Sequence, residues 1–389
     1  MTKSIAILGR QSGLGLAELE SLLGTELLHP IGKVAAIIDK EPSEIPFSRL
    51  GGTVKLAKML AVLEMTDWGA IEKYLADTIP KHLQFVPEGK LKLGISVYGF
   101  QLTTQKLNAS ALSLKKIIKA TGRSVRIIPN KELELNTAQV VHNQLVGPTG
   151  WELLLIRDES RTILAQTVQI QDIEAYARRD QARPKRDARV GMLPPKLAQI
   201  IINLACPPPN ATILDPFCGT GVVLQESLLM GYSAYGTDLE TRMIEYSQTN
   251  LDWLASRYSL KLETYDLETG DATKHQWRNF DTVAGETYLG RPFSALPRPE
   301  ILDEVMRDVD LIHKKFLKNL ATQAKSGLRL TIAVPAWKTS QGFKHLKTLD
   351  SLEELGYTRT SFVHARNDEL VYHRENQIVA RELVTLIRK

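Results

Sequence analysis

The sequence predicts an α/β protein whose second half is a doubly wound, largely parallel sheet, preceded by smaller α+β modules. Three observations predict it. The apolar run Ala211-Thr212-Ile213-Leu214 leads into Asp215-Pro216-Phe217-Cys218-Gly219-Thr220-Gly221 and then into helical spacing from Val222 to Met230, which reads as strand, glycine loop and helix. Acids then stand at three successive expected strand ends: Asp215, Asp238 after the strand Ser233 to Thr237, and Asp271 after apolar residues around Leu262. Finally, the buried-type strand Leu328 to Val334 and the pair Val371 to His373 with Ile378 to Leu386 supply a closing antiparallel hairpin, with Arg374 to Gln377 as its turn.

The first half has a different grain. Ile5 to Leu8 and Val34 to Ile38 are short strands around an amphipathic helix from Leu16 to Leu23, which Gly24 closes. A second such unit follows, with a strand from Val54 to Leu63 and helical spacing from Trp68 to Leu83. Then come strand Leu91 to Tyr98, helix Thr103 to Thr121, strand Ser124 to Ile128 and helix Leu135 to Leu145. Two strands, Trp151 to Ile156 and Thr162 to Ile170, end this half, joined by the turn from Arg157 to Arg161. It holds no catalytic constellation, so binding is its expected role.

With 389 residues the chain has length for two or three domains, and 43% apolar residues suffice for ordinary cores. Cys206 and Cys218 form no CxxC, which argues against a disulfide framework or a zinc site, and the histidines show no metal-ligand spacing. No apolar run approaches the roughly 20 residues of a membrane helix, and the N-terminal run is too short for a signal peptide, so a soluble, cytoplasmic protein is expected. The net charge of +5 is modest, but Arg178, Arg179, Arg183, Lys185, Arg186 and Arg189 crowd one linker. Two readings of that stretch stand: a strap along a phosphate backbone, or a solvated linker whose arginines pair with acids such as Asp180 and Asp187. After it, Pro194-Pro195 opens a helix with Leu197, Ile200, Ile201 and Leu204 on one face.

The glycine loop is not built for phosphate. Leu224 stands where a dinucleotide fingerprint has its third glycine, and no P-loop Gly-Lys-Ser/Thr follows. Asp215 would repel a pyrophosphate and favour a cationic group, which fits the ammonium and sulfonium of S-adenosylmethionine. Asp238 is placed to grip the ribose hydroxyls and Asp271 to accept from the adenine amino group. The expected cofactor-binding set is Asp215, Phe217, Gly219, Thr220, Gly221, Asp238, Leu239, Asp271 and Ala272, with no metal ligand.

Four stretches together resemble the THUMP-containing tRNA guanosine N2-methyltransferases, the archaeal and eukaryotic position-10 branch above all. They are Leu50-Gly51-Gly52-Thr53-Val54-Lys55, the α+β region to about residue 170, the segment Gly191-Met192-Leu193-Pro194-Pro195-Lys196-Leu197-Ala198, and the loop Asp215 to Gly221. The resemblance implies a ferredoxin-like domain over residues 1–75, a tRNA-gripping THUMP domain over 76–170, a basic linker over 171–190, and a Rossmann-like class I methyltransferase domain over 191–389. That last domain is expected to hold a seven-stranded sheet. It also implies tRNA as partner; eukaryotic relatives use a small activator subunit, on which this sequence is silent. A monomer is expected.

In that family the fourth strand ends in Asp or Asn followed by Pro-Pro-aromatic, whose acceptors polarise the guanine amino group and whose ring stacks on the flipped base. Here Glu286 stands for the acid, Thr287 and Tyr288 for the prolines, and Leu289 for the aromatic residue. Glu286 and Tyr288 are therefore the expected catalytic residues. The expected substrate contacts are Thr287, Arg291, Phe293, Arg178, Arg179, Lys185 and Arg186. Glu286 also reads as a strand-end acid without substrate role, and Tyr288 as core packing. Beside guanosine N2-methylation stand two further functions: a tRNA-binding protein with a decayed motif, and a methyltransferase of another amino base such as adenine. Cytosine C5 chemistry lacks its cysteine near the fourth strand.

Overall fold

A computed structural model of the chain describes residues 2–187, 192–258, 264–293, 295, 297–375 and 377–389. Leu262, Arg189, Gly191 and the hairpin-turn residue Asn376, all invoked above, lie outside the described residues.

Contacts divide the chain into two units. The first contains strands β1 (Ser4–Leu8), β2 (Leu28–Ile31), β3 (Ala35–Ile38), β4 (Thr53–Leu63), β5 (Leu91–Tyr98), β6 (Val125–Ile127), β7 (Gly150–Asp158) and β8 (Arg161–Ile170). With them are helices α2 (Trp68–His82), α3 (Thr104–Ala120) and α4 (Thr137–His142), whereas α1 (Ser12–Leu23) counts from Gly13 onward with the second unit. The helix starts follow capping chemistry. Asp67 accepts from the Ala70 N–H and Thr103 from the Lys106 N–H. Asn136 and Gln139 form a reciprocal box that begins α4 two residues later than the spacing suggested.

The boundary expected at residue 75 does not separate two bodies. All eight strands form one sheet, in the order β2-β3-β1-β4-β8-β7-β5-β6. The join is the antiparallel ladder of β4 with β8, from Lys55↔Ile170 to Leu63↔Thr162, so the two expected modules share backbone hydrogen bonds. Strand β2 was not foreseen from its short stretch Leu28-His29-Pro30-Ile31.

The second unit contains α5 (Ile173–Gln181), α6 (Pro195–Ala205), β9 (Thr212–Asp215), α7 (Val222–Leu229), β10 (Ser233–Asp238), α8 (Thr241–Tyr258), β11 (Tyr265–Thr269) and β12 (Thr282–Glu286). It continues with α9 (Pro299–Ala321), β13 (Arg329–Thr339), β14 (Gly342–Lys344), β15 (Tyr357–Arg359), β16 (Val371–Tyr372) and β17 (Val379–Arg388). The expected linker 171–190 thus contains the helix α5. The sheet runs β11-β10-β9-β12-β13-β17-β15, seven strands in line, with β14 added on β13 and β16 on β17. β17 is antiparallel to β13, β15 and β16. The foreseen hairpin partner β16 pairs only at Val371↔Glu382 and Tyr372↔Arg381, and the unforeseen β15 supplies the strand on the path.

This order places the functional region. β10 lies on one side of β9 and β12 on the other, so the chain reverses its winding between β9 and β12, and a crevice opens beyond their carboxyl ends. Behind it, α9 lays Leu302, Val305, Val309, Phe316, Leu317 and Leu320 on the sheet, in one core with Leu330, Ile332, Trp337 and Tyr357.

Candidate active site

Asp215 ends β9, Asp238 ends β10 and Glu286 ends β12, so three carboxylates converge on the switch point. Each is fixed differently. Asp215 is fully buried, and its Oδ1 accepts from the Phe217 N–H at 3.2 Å. It is seated over Gly285 of β12, where a β-carbon would fall 2.4 Å from that oxygen. Burial pushes its carboxyl well above the usual range; the Phe217 N–H opposes this, while Asp238 and Glu286 add to it. Asp238 binds the loop itself, accepting from the Gly219 N–H at 2.9 Å and the Glu240 N–H at 3.0 Å, and is also raised, chiefly by burial.

The loop needs its glycines. Gly219 and Gly221 have φ of 52° and 80°, a region other residues rarely adopt, and a β-carbon on Gly221 would sit 2.9 Å from Ser247 Oγ. Helix α8 holds the loop carbonyls: Ser247 Oγ donates to Gly219 O at 2.9 Å and Asn250 Nδ2 to Thr220 O at 2.9 Å. Cys218 is a buried packing residue, as its place predicts. Phe217 packs edge-on against Phe316 at 5.0 Å, Leu239 is exposed beside Asp238, and Ala272 is buried in the α9 core. Asp271 follows β11, and its Oδ1 accepts from both Thr273 N–H and Thr273 Oγ1, which hold its carboxyl below the usual range.

Beyond the loop, Glu286 meets a residue that the sequence reading missed. Arg381 on β17 donates from Nε to Glu286 Oε1 in a largely buried ion pair. Burial raises the Glu286 carboxyl and Arg381 pulls it back. The only hint in the sequence is the adjacent pair Arg381-Glu382 inside an otherwise apolar strand. Tyr288 is 44% exposed, which removes the core-packing reading. Arg291 stacks over Phe293, 5.6 Å from its centroid, and Phe293 is partly buried against the α9 core.

Two expected substrate contacts are corrected. Thr287 is 3% exposed and faces inward; its Oγ1 lies 2.6 Å from His313 Nε2 and 2.9 Å from Ala333 O. It anchors the end of β12 to α9 and β13. Arg179 is on α5 and buried, with Nε and Nη2 on the two oxygens of Glu226 at 2.7 and 3.2 Å, which takes it away from phosphates. Arg178, Lys185 and Arg186 are exposed; Arg178 lies 3.7 Å from Glu174 and Lys185 Nζ 5.3 Å from the Tyr246 ring centroid. Among the described residues no cluster of His, Cys, Asp or Glu fits a metal, and no helix is long and apolar enough to cross a membrane.

In the second unit the parallel strands β11-β10-β9-β12-β13 and the glycine loop after β9 make a doubly wound α/β fold. The whole chain superposes on TrmN from Thermus thermophilus with a TM-score of 0.56 at 15% identity, covering 100% of both chains. A possible methylase from Clostridium difficile gives 0.51 at 12% identity, covering 98% of this chain and 97% of that one. A family described as DNA methylase (N6_N4_Mtase) matches residues 138–249. In sequence the chain resembles tRNA (guanine(10)-N2)-dimethyltransferases. It is 32% identical over 170 residues to that of Pyrococcus abyssi, 42% of this chain and 43% of that protein. The Methanothermobacter thermautotrophicus protein is 39% identical over 106 residues, 26% of this chain and 30% of that protein. The chain thus spans less than half the length of these curated relatives.

Proposed function

We propose that the chain is an S-adenosylmethionine-dependent methyltransferase acting on the exocyclic N2 of a guanosine in tRNA, at position 10. The observation that carries it is the convergence of Asp215, Asp238 and Glu286 at the switch point around a left-handed glycine loop. Those residues fit the cofactor. Asp215 and Asp238 are raised carboxylates that repel each other, so a bound cation relieves both, and the Gly285 cradle keeps Asp215 aimed at one place. Asp238 and Asp271 fit the ribose hydroxyls and the adenine amino group. When bound, the cofactor supplies an electrophilic methyl group on its sulfonium.

The remaining work falls to this chain. Guanine N2 is a weak nucleophile because its lone pair is delocalised into the ring, so the site must orient it and accept its hydrogens. Glu286 does this through its carboxylate, held in place by Arg381 and one methylene longer than the family's aspartate. Tyr288, exposed at the mouth, stacks on the flipped base. The first unit supplies the THUMP-like grip on tRNA, and Arg178, Lys185 and Arg186 contact its phosphates. The relatives' printed names support this reading.

The Glu286–Arg381 pair also favours a second reading, a tRNA-binding protein whose catalytic acid has become a structural partner. Methyl transfer from labelled cofactor to unmodified tRNA separates the two, since the second predicts binding without transfer.

A further inference from the structure

We propose that Arg183 is the receptor for the carboxylate of the cofactor's amino-acid end, an anion site that completes the cation site at Asp215; the inference rests on the cofactor reading above. Arg183 is 3% exposed, and its Nε, Nη1 and Nη2 have no hydrogen-bond partner among the described residues. The nearby acid is spent. Glu226 on α7 is held by Arg179 through both oxygens and by Gln199 Nε2 at 3.0 Å. Glu226 and Asp180 still pull on Arg183 from a distance while Arg186 repels it, and burial lowers its affinity for a proton.

The chain on either side fixes where Arg183 lies. Four residues before it, Arg179 is tied to α7; two residues after it, the Lys185 N–H donates to Asn250 Oδ1 at 2.9 Å. Asn250 Nδ2 returns to Lys185 O at 3.0 Å and to Thr220 O at 2.9 Å, which pins this segment to the glycine loop. Arg183 therefore lies on a short segment tied at one end to Glu226 of α7 and at the other, through Asn250, to the glycine loop. A guanidinium stays charged and presents paired donors that match a planar carboxylate. The proposed cofactor is a zwitterion, with ammonium and carboxylate on one carbon. Asp215 suits the first charge, and in the site so far nothing suits the second. A phosphate would instead face Asp215 and Asp238.

The test is calorimetric titration of the full chain and of Arg183→Met and Arg183→Lys with S-adenosylmethionine and with its decarboxylated analogue, together with melting of each protein without ligand. The wild type is expected to prefer the carboxylated ligand by about ten- to a hundredfold. Arg183→Met should bind both at the level of the decarboxylated one, and Arg183→Lys should keep part of the preference. Without ligand, Arg183→Met should melt no lower than wild type, because it removes a buried unpaired charge. The proposal is overturned if Arg183→Met keeps the preference. It is overturned equally if that variant loses affinity for both ligands alike or melts lower, since Arg183 would then be structural. If the wild type binds neither ligand, the cofactor reading itself fails and takes this proposal with it.

Discussion

Glu286 carries the account at the scale of single residues. Its carboxylate is raised by burial and held by Arg381, so removing its charge should stop chemistry while leaving the cofactor site intact. Glu286→Gln is expected to lower methyl transfer by about a hundredfold or more, with cofactor affinity by calorimetry unchanged. Asp215 should behave in the opposite way: Asp215→Asn is expected to weaken cofactor binding about ten- to a hundredfold. Because its carboxyl is raised, protonation on acidification comes earlier than for an ordinary aspartate, and a protonated Asp215 no longer attracts a cation. Cofactor affinity should therefore fall as pH drops, and Asp215→Asn should flatten that dependence. Asp215 and Asp238 were legible because a strand end and a glycine loop are local patterns. Thr287 and Arg179 were misread because their burial is decided by partners far along the chain, and Arg381 was invisible because Glu286 lies 95 positions away.

At the scale of elements, the site depends on how β12 is held. Its inner end is tied through Thr287 to His313 on α9. Val309 O can only accept, so His313 Nδ1 carries the proton in the neutral ring, and the Thr287 hydroxyl lies between His313 Nε2 and Ala333 O. Burial depresses the His313 pKa to about 4 from 6.5, against the opposing pull of Val309 O and Asp310. Between those values the unfolded chain binds a proton that the folded chain refuses. Stability is therefore lost as pH falls from 6.5 towards 4, by roughly 3 kcal/mol at most. His313→Gln should shrink that loss, as read by denaturant melts across the range. Gly285 is the second constraint: Gly285→Ala places a carbon against Asp215 and should cost about 1–3 kcal/mol in stability, with cofactor affinity lost as Asp215 shifts. Most strands and helices were readable from alternation, spacing and caps. Of those not read, β2, β14 and β15 have four, three and three residues, too few to set a period, whereas the longer α8 was passed over between the acids Asp238 and Asp271. The segment 171–190 was read as a linker because its arginines masked the helix α5, whose Tyr176 and Arg179 are buried against Gln199 and Glu226.

For the molecule as a whole, the proposed function requires a polyanionic partner. A net charge of +5 is small, so its placement on exposed Arg178, Lys185 and Arg186 matters more than its size. Affinity for tRNA should fall steeply with salt, and Arg178→Ala with Arg186→Ala should reduce the slope of log K against log salt by roughly one to two. The first unit resisted division because one sheet runs through it, a fact of strand pairing that no local pattern announces. The central claim is that a well-formed cofactor site serves guanine N2 through Glu286. It is tested most directly by incubating unmodified tRNA with labelled S-adenosylmethionine and identifying the methylated nucleosides by mass spectrometry, for wild type and Glu286→Gln side by side. The account predicts N2-methylated guanosine with the wild type and none with Glu286→Gln. Wild-type protein that binds cofactor and tRNA yet methylates no guanosine would contradict it.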